Sequence, residues 1–145
     1  GDLHDVLAEM GADLIVETLR RYAAKEIAAQ QQPANGVTYA EKIGKAEGAI
    51  DWTRAAADLD LQIRGFYPWP GCTFRHGGAR VKLLRAEITD GQGAPGTLLD
   101  MQGAVACGQG ALRLLRVQRS GKAEISGVDF LNGLRLQPGA KFENG

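Results

Sequence analysis

With two cysteines and two histidines among 145 residues, the chain has little from which to build a disulfide framework or a metal centre. Cys72 and Cys107 show no CxxC spacing and no histidine in ligand register, so both are read as reduced, buried apolar residues of a cytosolic protein. No apolar run approaches the ~20 residues of a membrane-spanning helix, and no signal-peptide pattern opens the chain. A cytoplasmic monomer without a membrane partner is expected. Aromatic residues are few, at 6%, and after Trp69 only Phe74, Phe130 and Phe142 remain. That is too sparse a set to favour stacking of successive single-stranded bases.

Catalytic constellations are missing as well. His4 lies beside Asp5 in a helical pattern and His76 at a hairpin tip, and neither has a nucleophile or second ligand in register, so both are read as surface histidines. The glycine-rich "GQGAPG" at 91–96 lies between strands and precedes no helix, which excludes a phosphate loop. Glu47 with Asp51 and Asp58 with Asp60 are carboxylate pairs, but first helical turns and solvated faces carry such pairs routinely. No catalytic residue, metal ligand or cofactor site is therefore expected in this chain.

Charge is present but unevenly spread. The formal net charge is zero, yet residues 1–63 hold six Lys and Arg against eleven Asp and Glu, while residues 64–145 hold eleven against six. The second part suits a polyanion or an acidic neighbour.

The helical patterns come first. "LHDVLAEMG" aligns Leu3, Val6, Leu7 and Met10 and ends in Gly11, a good C-cap; "ADLIVETLRRYAAKEI" aligns Leu14, Ile15, Thr18, Leu19 and Tyr22 behind a capping Asp13. Two short helices are predicted, with an apolar stripe that needs another body to pack on. Residues 28–49 are polar and punctuated by Gly and Pro, a linker pattern. Helical spacing returns through Ala56, Leu59, Ile63 and Phe66, predicting a helix over 53–66 capped by Thr53 or Asp51.

From Cys72 the period changes to two. "CTFRHGGARVKLLRAEIT" is two runs split by Gly77-Gly78, a hairpin signal. "GTLLDM", "GAVACG" and "ALRLLRVQ" follow, each bounded by glycine turns, and "SGVDFLNG" predicts a short helix capped by Ser126 and stopped by Gly133. The expected fold is mainly β: a small, OB-like, five-stranded antiparallel barrel with an N-terminal helix and one short helix. A helical segment and a linker precede it, with boundaries at 1–30, 31–50 and 51–145; a family resemblance implies that the helices are the remnant of an α/β domain.

Between helix and barrel stands "IRGFYPWPGC", where Pro68 and Pro70 force the chain to leave the helix extended. It is read as a stiff weld with Trp69 as its packing anchor. Two strands share a pattern, "VKLLRA" at 81–86 and "LRLLRV" at 112–117, in which strict alternation mixes charge into both faces. Bulges near 83–84 and 114–115 are predicted, turning both leucines inward and leaving the basic residues outside. Arg75, Arg80, Lys82, Arg85, Arg113, Arg116, Arg119 and Lys122 all fall on strands or hairpins and form one basic surface if those strands are neighbours.

Four stretches carry a specific resemblance: "VTYAEKIGKAEGAIDW" at 37–52, "IRGFYPWPGC" at 63–72, "APGTLLD" at 94–100 and "LRLLRVQRSGKAEISGVDFLNG" at 112–133. In this order and spacing they resemble the C-terminal part of the bacterial methionyl-tRNA formyltransferase family. The head, "GDLHDVLAEMGADLIVETL", is similar to the last helices of that family's catalytic domain, so a piece of a longer protein is expected. Formyltetrahydrofolate dehydrogenase and the aminosugar formyltransferase of lipid A modification share the IDW segment and the barrel; "TYAEKI" and the "GKAEIS" to "DFLNG" ending favour the tRNA enzyme. Tyr67 and Cys72 depart from the family pattern.

The resemblance implies transfer of a formyl group from 10-formyltetrahydrofolate to the amino group of methionine on initiator tRNA. The catalytic and folate-binding motifs of the family belong to the domain upstream and are absent from this sequence. The chain thus resembles the tRNA-holding part and is expected to be inactive alone, with the catalytic domain and initiator methionyl-tRNA as its partners. The family's basic channel maps onto Lys42, Lys45, Arg64, Arg80, Lys82, Arg85, Arg113, Arg116 and Lys122 as expected tRNA contacts. The alternatives are the barrel of another formyltetrahydrofolate-using enzyme, or a docking module that binds no RNA.

Overall fold

A computed structural model describes residues 2–145. The chain divides into two compact units, one ending at Lys42 and the other spanning Ile43–Gly145.

In the first unit a single helix, α1 (Asp2–Ala23), replaces the two helices predicted from the sequence. Leu3, Leu7, Met10 and Leu14 keep their apolar spacing across Gly11, so the stripe is unbroken, and a mid-helix glycine costs only about 1 kcal/mol. Gly11 is therefore not a cap, and Asp13 lies inside the helix. The apolar residues of the stripe are exposed from Leu3 to Tyr22, and only Thr18 within it is half-buried.

The second unit is the barrel. Its strands are β1 (Cys72–His76), β2 (Ala79–Thr89), β3 (Ala104–Ala106), β4 (Ala111–Arg119) and β5 (Glu124–Ser126), all antiparallel. The sheet order is β1-β2-β4-β3, and β5 lies end to end with β3 along the far edge of β4. Gly77 and Gly78, both at positive φ, make the predicted two-residue hairpin between His76 and Ala79.

Five strands were expected and five are present, but their membership differs. "GTLLDM" forms only isolated bridges, at Thr97 and Leu98, while β5 is a strand that the sequence pattern does not predict. The curled sheet is a half-barrel whose gap is spanned by irregular chain. Leu98 bridges Val105 of β3, Thr97 bridges Lys141, and Arg75 of β1 bridges Glu143. The C-terminal tail thus completes the circuit, its Gly145 N–H donating to the Ile50 carbonyl at 2.9 Å.

Both predicted bulges exist. Leu84 and Leu115 are skipped in the β2–β4 ladder, where Leu83 opposes Val117, Arg85 opposes Arg116 and Ala86 opposes Leu114. The reason given for them is corrected: Leu83 and Leu114 are buried, but Leu84 is half-buried and Leu115 exposed. The extra residue is absorbed at the surface, which lets the next residue resume the inward position. On β4 the bulge falls where pairing passes from β3 to β5.

Helix α2 (Ala56–Gly65) starts later than predicted and has no side-chain cap; Ala56 N–H instead donates to the Gln109 carbonyl at 2.9 Å. Asp51 is occupied elsewhere, accepting from the Thr53 N–H at 3.0 Å and hydroxyl at 2.8 Å. Helix α3 (Gly127–Gly133) has the predicted cap, Ser126 Oγ accepting from Asp129 N–H at 3.0 Å, but Gly133 is its last residue and Leu134 its C-cap. The short 3-10 turn Lys45–Gly48 and the following Ala49 and Ile50, within the expected linker, pack on the barrel: Ile50 is fully buried and its N–H donates to Thr73 at 2.8 Å.

The core joins α2 and α3 to the inner sheet face. Phe74 is its centre, with ring centroids 5.7 Å from Trp52, 5.0 Å from Phe142 and 6.2 Å from Phe130. Trp52, and not Trp69, is the buried anchor. Trp69 is 53% exposed, which overturns the packing role expected of it. It lies in the Phe66–Gly71 loop, whose Tyr67–Pro68 and Trp69–Pro70 peptide bonds are both cis.

Candidate nucleic-acid interface

The outer face of β1, β2 and β4 follows from the register. Phe74, Val81 and Leu83 point into the core, so their neighbours Arg75, Arg80 and Lys82 point out. Arg75 directly opposes Arg80, and Lys82 opposes Gln118. Beyond the bulge Arg85 opposes Arg116, and Glu87 opposes Arg113. The bulges at Leu84 and Leu115 are what put Arg85 and Arg116 opposite each other on the outside while Ala86 and Leu114 turn in.

Not every cation on this face is equally available. Arg113 is half-buried and committed: its guanidinium donates to Glu87 at 3.2 Å and to the Thr89 hydroxyl at 3.4 Å. Arg116 forms an ion pair with Glu124 at 3.5 Å, with both side chains about half exposed. Arg75, Arg80, Lys82, Arg85, Arg119 and Lys122 form no ion pair among the described residues. Arg80, Lys82, Arg119 and Lys122 line a cleft of about 290 Å³ together with Gln118, Ser120 and Gly121. Gln118 holds the turn in place by donating to the Lys122 carbonyl at 2.9 Å.

Of the residues expected from the sequence, the sheet brings together Arg80, Lys82, Arg85, Arg113, Arg116 and Lys122. Arg64 is in the last turn of α2 and is paired with Asp60 at 2.9 Å. Lys45 opens the 3-10 turn, and Lys42 belongs to the first unit. Arg75 and Arg119 were counted among the strand cations but not among the expected contacts; the hairpin register Arg75–Arg80 follows from the Gly-Gly turn and would have placed the first of them.

Chemistry of other kinds has little support here. Among the described residues no group of three His, Cys, Asp or Glu side chains is arranged to hold a metal ion. Burial pushes the Cys72 and Cys107 thiols up to about 11, so neither is a thiolate at neutral pH. Hydrogen bonds from the side chain and then the backbone of Thr53 hold the Asp51 carboxyl below its ordinary range, the opposite of a general acid. His76 is fixed against the Lys141 carbonyl at 3.0 Å and stacks edge-on with Phe142, a structural position. No helix is long and apolar enough to cross a membrane, among the described residues.

A curled, five-stranded antiparallel half-barrel with two helices packed on its inner face, and with cations ranked on its outer face, is a small β-fold of the OB-like class. The chain belongs to the formyl transferase family: the model of the formyl transferase C-terminal domain matches residues 42–135, well over half of it. Methionyl-tRNA formyltransferase from Paramagnetospirillum magneticum is 52% identical over 138 residues, covering 94% of this chain and 45% of that protein. The enzyme of the same name from a Methylobacterium species is 51% identical over 146 residues, covering 98% of this chain and 47% of that protein. The resemblance read in the sequence is thereby shown, and the chain spans slightly under half the length of these relatives.

Among solved structures, HypX from Aquifex aeolicus, in complex with tetrahydrofolic acid, superposes with a TM-score of 0.63 at 17% identity, over 82% of this chain and 22% of that one. That likeness speaks for the fold alone.

Proposed function

We propose that this chain supplies the tRNA-holding part of a methionyl-tRNA formyltransferase, the enzyme that formylates methionyl-initiator tRNA from 10-formyltetrahydrofolate in translation initiation. The folate pocket and the reacting groups belong, in this reading, to a catalytic domain outside these residues, and the chain alone is inactive. The observation that carries the reading is the outer sheet face, where Arg85 opposes Arg116 and Arg75 opposes Arg80. Like charges directly opposite each other destabilise a sheet, and a polyanion that neutralises them is the simplest reason for the arrangement.

The contacts expected of such a face are to phosphates, which position RNA without reading its sequence. Arg80, Lys82, Arg85, Arg116 and Lys122 are assigned this role, and Arg119 joins them at the cleft. Lys42, Lys45 and Arg64 are proposed as outlying contacts, and Arg113 as a residue that braces the sheet through Glu87. The working place of the protein is the cytoplasm, as a monomer.

The test is a backbone footprint of initiator tRNA with the purified chain. Protection of one continuous backbone stretch is expected, and it should fade when Arg80 and Lys82 are replaced by alanine. An unprotected tRNA at high micromolar chain would sink the reading in favour of a docking module that binds no RNA.

A further inference from the structure

Uncompensated charge on the outer face is concentrated at the turn between β4 and β5. Further along that face acidic residues take up cations: Glu87 holds Arg113 at 3.2 Å and Glu124 holds Arg116 at 3.5 Å. Around the 290 Å³ cleft there is no such relief. Strand β2 supplies Arg80 and Lys82, the end of β4 and its turn supply Arg119 and Lys122, and no acidic side chain lines the cleft with them. Glu124 comes opposite Gln118 on the ladder, but its carboxylate is engaged by Arg116. The four cations form neither ion pairs nor side-chain hydrogen bonds among the described residues, and Ser120 adds a hydroxyl that is equally free.

The base of this cluster is fixed. Val81 opposes Arg119 and Lys82 opposes Gln118, so the β2 cations and the turn are held in one register. Lys122 N–H donates to the Arg119 carbonyl at 3.1 Å, Gln118 Nε2 donates to the Lys122 carbonyl at 2.9 Å, and Gly121 takes a φ of 68° in the turn. Backbone that is already ordered has little freedom to lose when a ligand arrives.

Charge and size define that ligand. Four free cations about one cleft exceed what a single backbone phosphodiester neutralises, whereas a chain of linked phosphates puts several charges on adjoining oxygens. At about 290 Å³ the cleft is at the lower end of the ~300–1,000 Å³ of pockets that enclose drug-sized molecules, and no aromatic ring lines it to stack a base. We infer that the cleft is an oligophosphate site, taking inorganic polyphosphate or the triphosphate tail of a nucleotide. Its occupant competes with RNA for Arg80, Lys82, Arg119 and Lys122, which makes the holding of RNA sensitive to free oligophosphate. The competition rests on the proposed function; the site itself does not.

The test is an amide NMR titration of the 145-residue chain with sodium tripolyphosphate at constant ionic strength. Shifts centred on residues 80–82 and 119–122 that saturate as one site are expected. Arg119→Gln combined with Lys122→Gln should weaken binding roughly 2- to 30-fold. Arg85→Gln combined with Arg116→Gln removes the same charge elsewhere on the face and should weaken it less. A nucleoside triphosphate should bind as inorganic tripolyphosphate does, and saturating tripolyphosphate should weaken the binding of initiator tRNA.

Absence of saturable binding, or equal weakening by the two double variants, overturns the inference, because the cleft would then be part of a diffuse field. A nucleoside triphosphate bound roughly tenfold more tightly than tripolyphosphate overturns it too, since a base would then be read. Initiator tRNA that binds undisturbed by tripolyphosphate overturns the competition and leaves the RNA-holding reading in place. Failure of the chain to bind tRNA at all overturns that reading and the competition together, while a saturable tripolyphosphate site still supports the oligophosphate assignment.

Discussion

Arg85 faces Arg116 across the β2–β4 ladder with no acidic residue of its own, while Arg116 is partly neutralised by Glu124 at 3.5 Å. Replacing Arg85 by glutamine keeps the length and polarity of the side chain and removes one of the two opposed charges. A directly opposed like-charge pair costs within about 0.2–1 kcal/mol, and exposure on both sides puts this one in the lower half of that range. The Arg116–Glu124 attraction, itself worth under about 1 kcal/mol at an exposed site, is left in place.

Arg85→Gln should therefore stabilise the barrel by about 0.3–0.5 kcal/mol, which is a rise of roughly 1–3 °C in Tm for a unit of this size. Differential scanning fluorimetry at low salt resolves such a shift. The gain should shrink towards nothing near 1 M salt, where the screening length falls to about 3 Å. Glu124→Gln should move Tm the opposite way. Destabilisation by Arg85→Gln at low salt, or a gain that salt does not touch, would refute the idea that the face stores charge repulsion.

Gly127 starts α3 with its backbone against β4; a Cβ there would lie 1.9 Å from the Leu114 carbonyl oxygen. Gly127→Ala should cost about 3 kcal/mol or more in urea titrations, whereas Gly133→Ala, with nothing within 4 Å, should be neutral or stabilising. The Asp51 carboxyl is held below its ordinary value of 3.8 by Thr53 and Asn144, so the folded state binds fewer protons there than the unfolded state. Its contribution is present above that value and is lost as pH falls below it through the lower folded-state pKa, and Asp51→Asn should flatten the acid limb of the stability profile. Cys72 and Cys107, raised to about 11 from an ordinary 9.0, should resist alkylation at pH 8 until the chain unfolds. Stability should decline between pH 9 and 11, because only the unfolded thiols ionise there.

How far the sequence reveals this molecule depends on whether a feature is specified locally. The Gly77-Gly78 hairpin and the Ser126 cap are local chemistry and are legible as such. The bulges are legible from the repeated Leu-Leu-Arg steps, but the directions of Leu84 and Leu115 are not. Those depend on which residue resumes the inward position after the slip, and Ala86 and Leu114 take it. The closing segment 139–145 escapes notice because "GAKFENG" has no period, and its hydrogen bonds go to residues far away in sequence, such as Gly96 and Arg75. Trp69 misleads for the opposite reason: a tryptophan between prolines has the composition of an anchor, and Trp52 already fills that place in the core. The candidate face is legible as a list of strand cations. Its gradation into free Arg85 and committed Arg113 needs the Glu87 register.

The central claim is that the outer face of β1, β2 and β4 holds RNA by its phosphates. The most direct measurement is the affinity of the chain for initiator tRNA over a series of salt concentrations, repeated with Arg85 and Arg116 both replaced by alanine. The six cations assigned to this face predict a log–log slope of about −5, and each lost contact should reduce it by about 0.7–0.9. The double variant should therefore bind all tRNAs more weakly, with a slope of about −3. A slope that stays the same in the variant would contradict the account, because the charges on this face would then be solvated surface and the RNA would lie elsewhere.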